Sequence, residues 1–188
     1  MSTVFIFHGV GGHSGENWFP WIKEQLDEEG HHAIAPDFPH TDHPKLEEWL
    51  ELFKRYESDL NEETIFIGHS LGGAFALRLL ERMEHPIKAM FLVASVWGTM
   101  GNKYDPVMTT FTEAPYNWII IRNNCPHVEV LHADNDPYIR LSLAEELAKN
   151  LGTKVTLIRD GKHLNEAAGF TEFPQLLTRI LKQLQQTS

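Results

Sequence analysis

Short apolar runs separated by longer amphipathic stretches recur along the chain. Six runs, at 4–7, 33–35, 64–67, 89–93, 128–131 and 155–158, are mostly β-branched, aromatic or otherwise apolar. Runs of this kind are what strands buried on both faces of a sheet look like. The segments between them carry a helical period. The first covers about residues 18 to 29 and stops at Gly30, which suits the left-handed position after a helix. The second covers about 45 to 60, with Leu46, Trp49, Leu50 and Phe53 on one face and Glu and Lys on the other. A third starts directly after Ser70 and runs to about Met83. A fourth opens with Ser142 and Glu145, spaced as a capping box, and closes at Gly152. The last begins near Pro174 and buries Leu177, Ile180, Leu181 and Leu184.

This alternation predicts an α/β fold of one domain, residues 1–188, with about six parallel strands and helices on both faces. One segment, 97–126, breaks the rhythm: it is longer than a simple crossover and carries Trp97, Tyr104, Phe111, Tyr116 and Trp118. It predicts a small cap or pocket wall. In open parallel sheets ligands bind beyond the carboxyl ends of the strands, so the residues just after each strand are where chemistry is expected.

The third strand runs into Gly68-His69-Ser70-Leu71-Gly72, a G-x-S-x-G sequence followed at once by a helix. That is the context of a nucleophile elbow, a sharp strand-to-helix turn that lifts a serine hydroxyl above the sheet. The first strand runs into His8-Gly9-Val10-Gly11-Gly12. A serine hydrolase needs two donors for the oxyanion, one from the residue after the nucleophile and one from such a loop. Leu71 and Val10 are the expected donors, with Gly11 the next candidate and otherwise a neighbour of the substrate. A nucleotide-binding loop is the competing reading and is disfavoured: counting G-x-G-x-x-G from Gly9 puts Ser14 at the last glycine, and no G-x-x-x-x-G-K-[ST] occurs.

A serine at its ordinary pKa is a weak nucleophile and requires a base. The chain holds eleven histidines, so position decides. In this architecture the order is Ser, then Asp or Glu, then His. His163, in Asp160-Gly161-Lys162-His163 after the last strand, fits that order. The acid belongs after the fifth strand, where Asp134 and Asp136 compete. Asp136 is favoured because Pro137 fixes the chain beyond it, and Asp134 is free to brace the turn. Trp18, Trp97 and Trp118 are candidate walls of the substrate pocket, against a default role in packing.

These pieces resemble the retinoblastoma-binding-protein-9-like group of small serine hydrolases. The resemblance rests on His8-Gly9 with Trp18, Trp21 and Lys23 downstream, on Ile67-Gly68-His69-Ser70, and on Tyr116-Asn117-Trp118 leading to Asn124-Cys125-Pro126. It continues through Asn135-Asp136-Pro137 and Gly161-Lys162-His163. It spans nearly the whole chain and implies a compact α/β-hydrolase fold lacking the first two strands of larger relatives, with Ser70, Asp136 and His163 as the triad. The group's name suggests an L-x-C-x-E motif for the retinoblastoma protein; no such motif occurs here.

The remaining features narrow the setting. A net charge of −10 argues against nucleic acid and anionic membranes as partners. A single cysteine, Cys125, rules out an intrachain disulfide and fits a reducing compartment. The N-terminus reads as a strand rather than a signal peptide, so the cytoplasm is the expected location. His40-Thr41-Asp42-His43 lacks the spacing of a metal site and is flanked by prolines. The expected activity is carboxylesterase-like hydrolysis of a small ester or amide without cofactor or metal. The alternatives are an acyltransferase using the same triad and a non-catalytic binding protein on the same scaffold.

Overall fold

A computed structural model describes residues 2–186. Its strands are β1 (Thr3–Phe7), β2 (His32–Ile34), β3 (Ile65–His69), β4 (Ala89–Val93), β5 (Val128–Ala133) and β6 (Val155–Ile158). They form one sheet in the order β2-β1-β3-β4-β5-β6, every pair parallel. The chain steps from β1 outward to β2, then returns to the other side of β1. The carboxyl ends of β1 and β3 therefore flank the point where the winding reverses, the usual ligand crevice of such sheets.

Alternation along the central strands sorts their side chains into two cores. Val4, Ile6, Ile65, Ile67, Phe91 and Val93 face one side, where α1 (Phe19–Glu28) and α7 (Pro174–Leu184) cover them. Phe5, Phe7, Phe66, Met90 and Leu92 face the other. That side is covered by α2 (Leu46–Phe53), α3 (Leu71–Leu80), α4 (Asp105–Thr112), α5 (Trp118–Asn124) and α6 (Leu141–Leu151). The helix-rich core is aromatic: Phe38 stacks on Trp49 with ring centroids 4.4 Å apart, and Phe75 of α3 meets Phe7, Phe38, Trp49 and Phe53. Each such fully buried side chain contributes about 1.5–3 kcal/mol of hydrophobic stabilisation.

Four local expectations are corrected. The second helix keeps α geometry only to Phe53 and tightens into a 3-10 helix over Lys54–Asp59. Ser142 makes no capping bond, because the helix begins one residue earlier at Leu141 and Arg140 holds the cap position. In α7 the fully buried positions are Leu176, Ile180 and Gln183, whereas Leu177, Leu181 and Leu184 are only partly covered. β6 is an edge strand, half open to solvent, so its apolar run does not mark a strand buried on both faces.

Candidate active site

Ser70 sits at the junction of β3 and α3 with φ 54° and ψ −120°. This left-handed backbone costs a non-glycine residue about 1–3 kcal/mol, and the surroundings hold it in place. Ser70 N–H donates to Val93 O (3.0 Å), and Ser70 O accepts from Gly73 N–H (3.1 Å) and Val96 N–H (3.0 Å). The glycines on either side are required by close approach. A Cβ at Gly68 would lie 2.5–2.7 Å from backbone atoms of Gly72 and Gly73, and one at Gly72 would overlap the carbonyl oxygen of Phe7. The strand, the helix and the end of β1 thus converge on the serine, whose side chain stays accessible.

The loop after β1 presses against it. A Cβ on Gly9 would come within 2.9 Å of the Ser70 Cβ. Beneath this loop His8 is buried and neutral, its Nδ1–H donating to Gly9 O (2.9 Å) and its Nε2 accepting from Phe38 N–H (3.2 Å); burial pushes its pKa down. Gly11 N–H donates to Thr41 O (2.8 Å) and Gly12 N–H to Gly9 O (3.2 Å). The N–H groups of Val10 and Leu71 have no hydrogen-bond partner among the described residues. Of the two expected candidates in the β1 loop, Val10 is therefore the one with a free donor, and Gly11 is committed elsewhere.

His163 lies in a loop after β6 in which Asp160, Lys162 and Leu164 all adopt positive φ (55°, 48° and 50°). The segment after β5 holds this strained loop at three successive residues. Asp134 Oδ1 accepts from Asp160 N–H (2.9 Å), Asn135 Oδ1 from Lys162 N–H (2.8 Å), and Asp136 Oδ2 from His163 Nδ1–H (2.9 Å). Of the two aspartates, Asp134 is the brace and Asp136 meets the histidine. The Asp136 carboxylate is fully buried, and its second oxygen accepts from Tyr138 N–H (2.8 Å) and Ile139 N–H (3.0 Å). Burial alone would raise its pKa; the bond to His163, the charge of that ring and the two backbone donors outweigh burial and lower it. With Nδ1 bonded to Asp136, Nε2 is the ring nitrogen left free of that bond.

Two residues support the His163 loop from below, and sequence reasoning assigned neither to this task. His69 Nε2–H donates to the carbonyl of His163 (3.0 Å), and Trp18 Nε1–H to the carbonyl of Leu164 (2.9 Å). Trp18 is completely buried, edge-on to Phe19, His69 and Phe173. It is no part of the pocket wall: it lies on the opposite side of the base loop and holds it. His69 is also buried, which pushes its pKa down to about 3 and keeps it neutral.

Ser70 and His163 open onto one cavity of about 190 Å3, together with Val10 and Asn165. Met100, Tyr104 and Met108 from the long segment, and Tyr138 and Ile139 from the acid loop, complete it. The 97–126 segment thus supplies a wall, though through other residues than expected. Trp97 and Trp118 pack on each other (5.7 Å between centroids), and Trp97 Nε1–H donates to Leu143 O, which turns them toward α6 and away from the cavity. The wall is anchored to the elbow helix by Arg78. Its buried guanidinium donates to the carbonyls of Phe111, Ala114 and Pro115, pairs with Glu81 and lies 3.6 Å over the Tyr116 ring. Among the described residues no cluster of His, Cys, Asp or Glu could hold a metal, and no helix is long and apolar enough to cross a membrane.

An elbow serine, a carboxylate-bound histidine and a crevice at the reversal of the sheet define a class of proteins, the α/β-hydrolases. Residues 4–182 match the sequence model of the family described as serine hydrolase, and the chain belongs to that family. It is 28% identical over 173 residues to YdeN of Bacillus subtilis, covering 91% of this chain and 90% of that one. It is likewise 28% identical over 178 residues to the serine hydrolase RBBP9 of Rattus norvegicus, covering 94% and 91%. The crystal structure of the B. subtilis ydeN gene product superposes with a TM-score of 0.93 over 99% of this chain and all of that one, at 26% identity. Est1E of Butyrivibrio proteoclasticus, solved with ferulic acid, shares the fold at a TM-score of 0.75 and 16% identity, covering 99% and 90%.

Proposed function

We propose that the protein hydrolyses a small ester or amide by acyl transfer through Ser70. Ser70 Oγ attacks the carbonyl carbon as His163 Nε2 takes its proton. Asp136 holds the ring by Nδ1 and stabilises the imidazolium, remaining ionised itself. The N–H groups of Val10 and Leu71 receive the oxyanion, a contribution that elsewhere is worth about 2.7–4 kcal/mol per donor. The leaving group departs with the proton from His163. Water then attacks the acyl-enzyme, giving a proton to His163, and as the ester bond to the enzyme breaks His163 returns that proton to Ser70 Oγ, freeing the acid product and restoring the serine. No step calls for a metal or organic cofactor. Carboxylesterase activity is the simplest form of this chemistry.

The observation that carries this reading is the strained Ser70, opening on the same cavity as a histidine bound to a buried carboxylate. A binding protein would have no use for a backbone cost of about 1–3 kcal/mol at that one serine. The test is labelling with a fluorophosphonate, which reacts with an activated serine. The wild type is expected to be labelled and Ser70→Ala to be blank. A folded wild type that takes no label would remove the hydrolase mechanism.

A further inference from the structure

The cavity beside Ser70 has a definite chemistry. Its apolar surface comes from Val10, Met100, Met108 and Ile139, and beside His163 its polar groups are those of Ser70, Tyr104, Tyr138 and Asn165. No lysine, arginine, aspartate or glutamate lines it. Two carboxylates in the loops that supply the wall, Asp136 and Asp105, are already occupied. Asp136 is filled by His163 and two backbone donors. Asp105, at the start of α4, accepts from the N–H groups of Met100 (2.8 Å), Gly101 (2.7 Å) and Asn102 (3.1 Å). An anionic acyl group would find no cation here, and a cationic one no free carboxylate. Burying either unpaired costs several kcal/mol.

Size is equally constrained. The cavity measures about 190 Å3, and an apolar protein cavity of about 150 Å3 accommodates benzene. The space therefore admits a ring of that size or a chain of about six carbons. Its wall does not yield as a free loop would. Asp105 gathers the three N–H groups of the 100–102 turn, and Asn102 bridges that turn to the acid loop, its Nδ2–H donating to Tyr138 O (2.9 Å) and its Oδ1 accepting from Tyr104 N–H (2.9 Å). Arg78 holds the far end of α4.

We infer that this cavity is an acyl pocket selective for an uncharged, compact acyl group of about six carbons or fewer, with Met100 and Met108 setting the limit. The inference rests on the hydrolase reading above and goes further by naming the acyl class.

The experiment measures kcat/KM for p-nitrophenyl acetate, butyrate, hexanoate, octanoate and decanoate. Two charged esters of butyrate-like length, succinate and 4-aminobutyrate, complete the panel, and fluorophosphonate labelling is run on the same preparations. The expected result is a maximum at or below hexanoate, a fall of about tenfold or more by decanoate, and charged esters at least as far below butyrate, since one methylene in a filled apolar pocket is worth about 10–200-fold. Met100→Ala is expected to move the maximum toward octanoate with labelling retained. Met108→Val, a smaller change at the more buried position, tests the same wall should the first variant be poorly folded. A flat profile out to decanoate, a charged ester as good as butyrate, or two folded variants with an unmoved maximum would overturn the pocket while labelled Ser70 kept the hydrolase reading intact. Absence of label on the folded wild type would overturn both.

Discussion

His69→Phe isolates what the residue before the nucleophile contributes. The phenyl ring keeps the outline of the imidazole and its edge contacts to Trp18 and Phe19, 6.1 and 5.9 Å between centroids. It removes the Nε2–H bond to the His163 carbonyl, and leaving that buried acceptor unpaired costs about 1–3 kcal/mol. It also removes Nδ1, a buried nitrogen with no partner, which offsets a cost of the same kind. At pH 7 the two nearly cancel, and stability should change by no more than about 1 kcal/mol, a Tm shift of about 2–4 °C for a chain of this size. Acid separates them. Burial holds His69 near a pKa of about 3 in the folded state, against 6.5 ordinarily. Between those values the unfolded chain binds a proton that the folded chain refuses, so the histidine's contribution is full above 6.5 and is lost as pH falls toward 3. At pH 5 that loss is about 2 kcal/mol. Urea unfolding at pH 7 and pH 5 should show the wild type losing about 2 kcal/mol more than the variant. Fluorophosphonate labelling at pH 7 should slow by about 10- to 100-fold, since a base misplaced by about 1 Å costs on that order. Equal acid sensitivity in the two proteins would refute the neutral-histidine reasoning. An unchanged labelling rate would show that this bond does not seat the base.

Other expectations follow from the same geometry. Asp136→Asn should fold, yet lose about 10⁴-fold in kcat against the ester hydrolysed best, because an amide no longer fixes the His163 tautomer; a loss below tenfold would remove Asp136 from the mechanism. The lowered pKa of Asp136 means its stabilising contribution is present above the ordinary carboxylate range and fades as pH falls through the lowered value; the difference in unfolding free energy between wild type and Asp136→Asn should therefore shrink in acid. Gly68→Ala should yield little folded protein, as its Cβ would meet α3 backbone at 2.5 Å; a Tm within a few degrees of wild type would contradict the elbow geometry. Arg78→Met leaves the largely buried Glu81 carboxylate without its close ion-pair partner and the carbonyls of Ala114 and Pro115 without a donor, and should cost about 3–5 kcal/mol in denaturant unfolding.

The six strands were legible because their residues carry the signal themselves: Phe5, Ile67 and Leu92 are apolar on both faces of a sheet covered on both sides. The elbow was legible because only glycine fits at 68 and 72. The break at Lys54 was not, since Tyr56 and Leu60 continue an apolar spacing that fits either kind of helix. The pocket wall was misread for a related reason. Tryptophans in a loop look alike whether they face a cavity or a core, and only the partners of Trp18, Trp97 and Trp118 distinguish the cases. Met100 and Met108 gave no sign beyond ordinary apolar character. In the sequence only Pro137 favoured Asp136 over Asp134; in space each residue from 134 to 136 meets a different part of the loop that carries His163.

The loop that carries His163 rests on a helix that follows it in the sequence. Leu164, next to His163, is fully buried in the core that Phe173, Leu176 and Ile180 close, and Phe173 in turn packs edge-on against Trp18. Synthesis delivers β3 and α3 before α7, so the turn at Ser70 can form while His163 still has no floor, until α7 has emerged and docked. The nascent polypeptide therefore carries Ser70 without a seated His163 until that helix has formed.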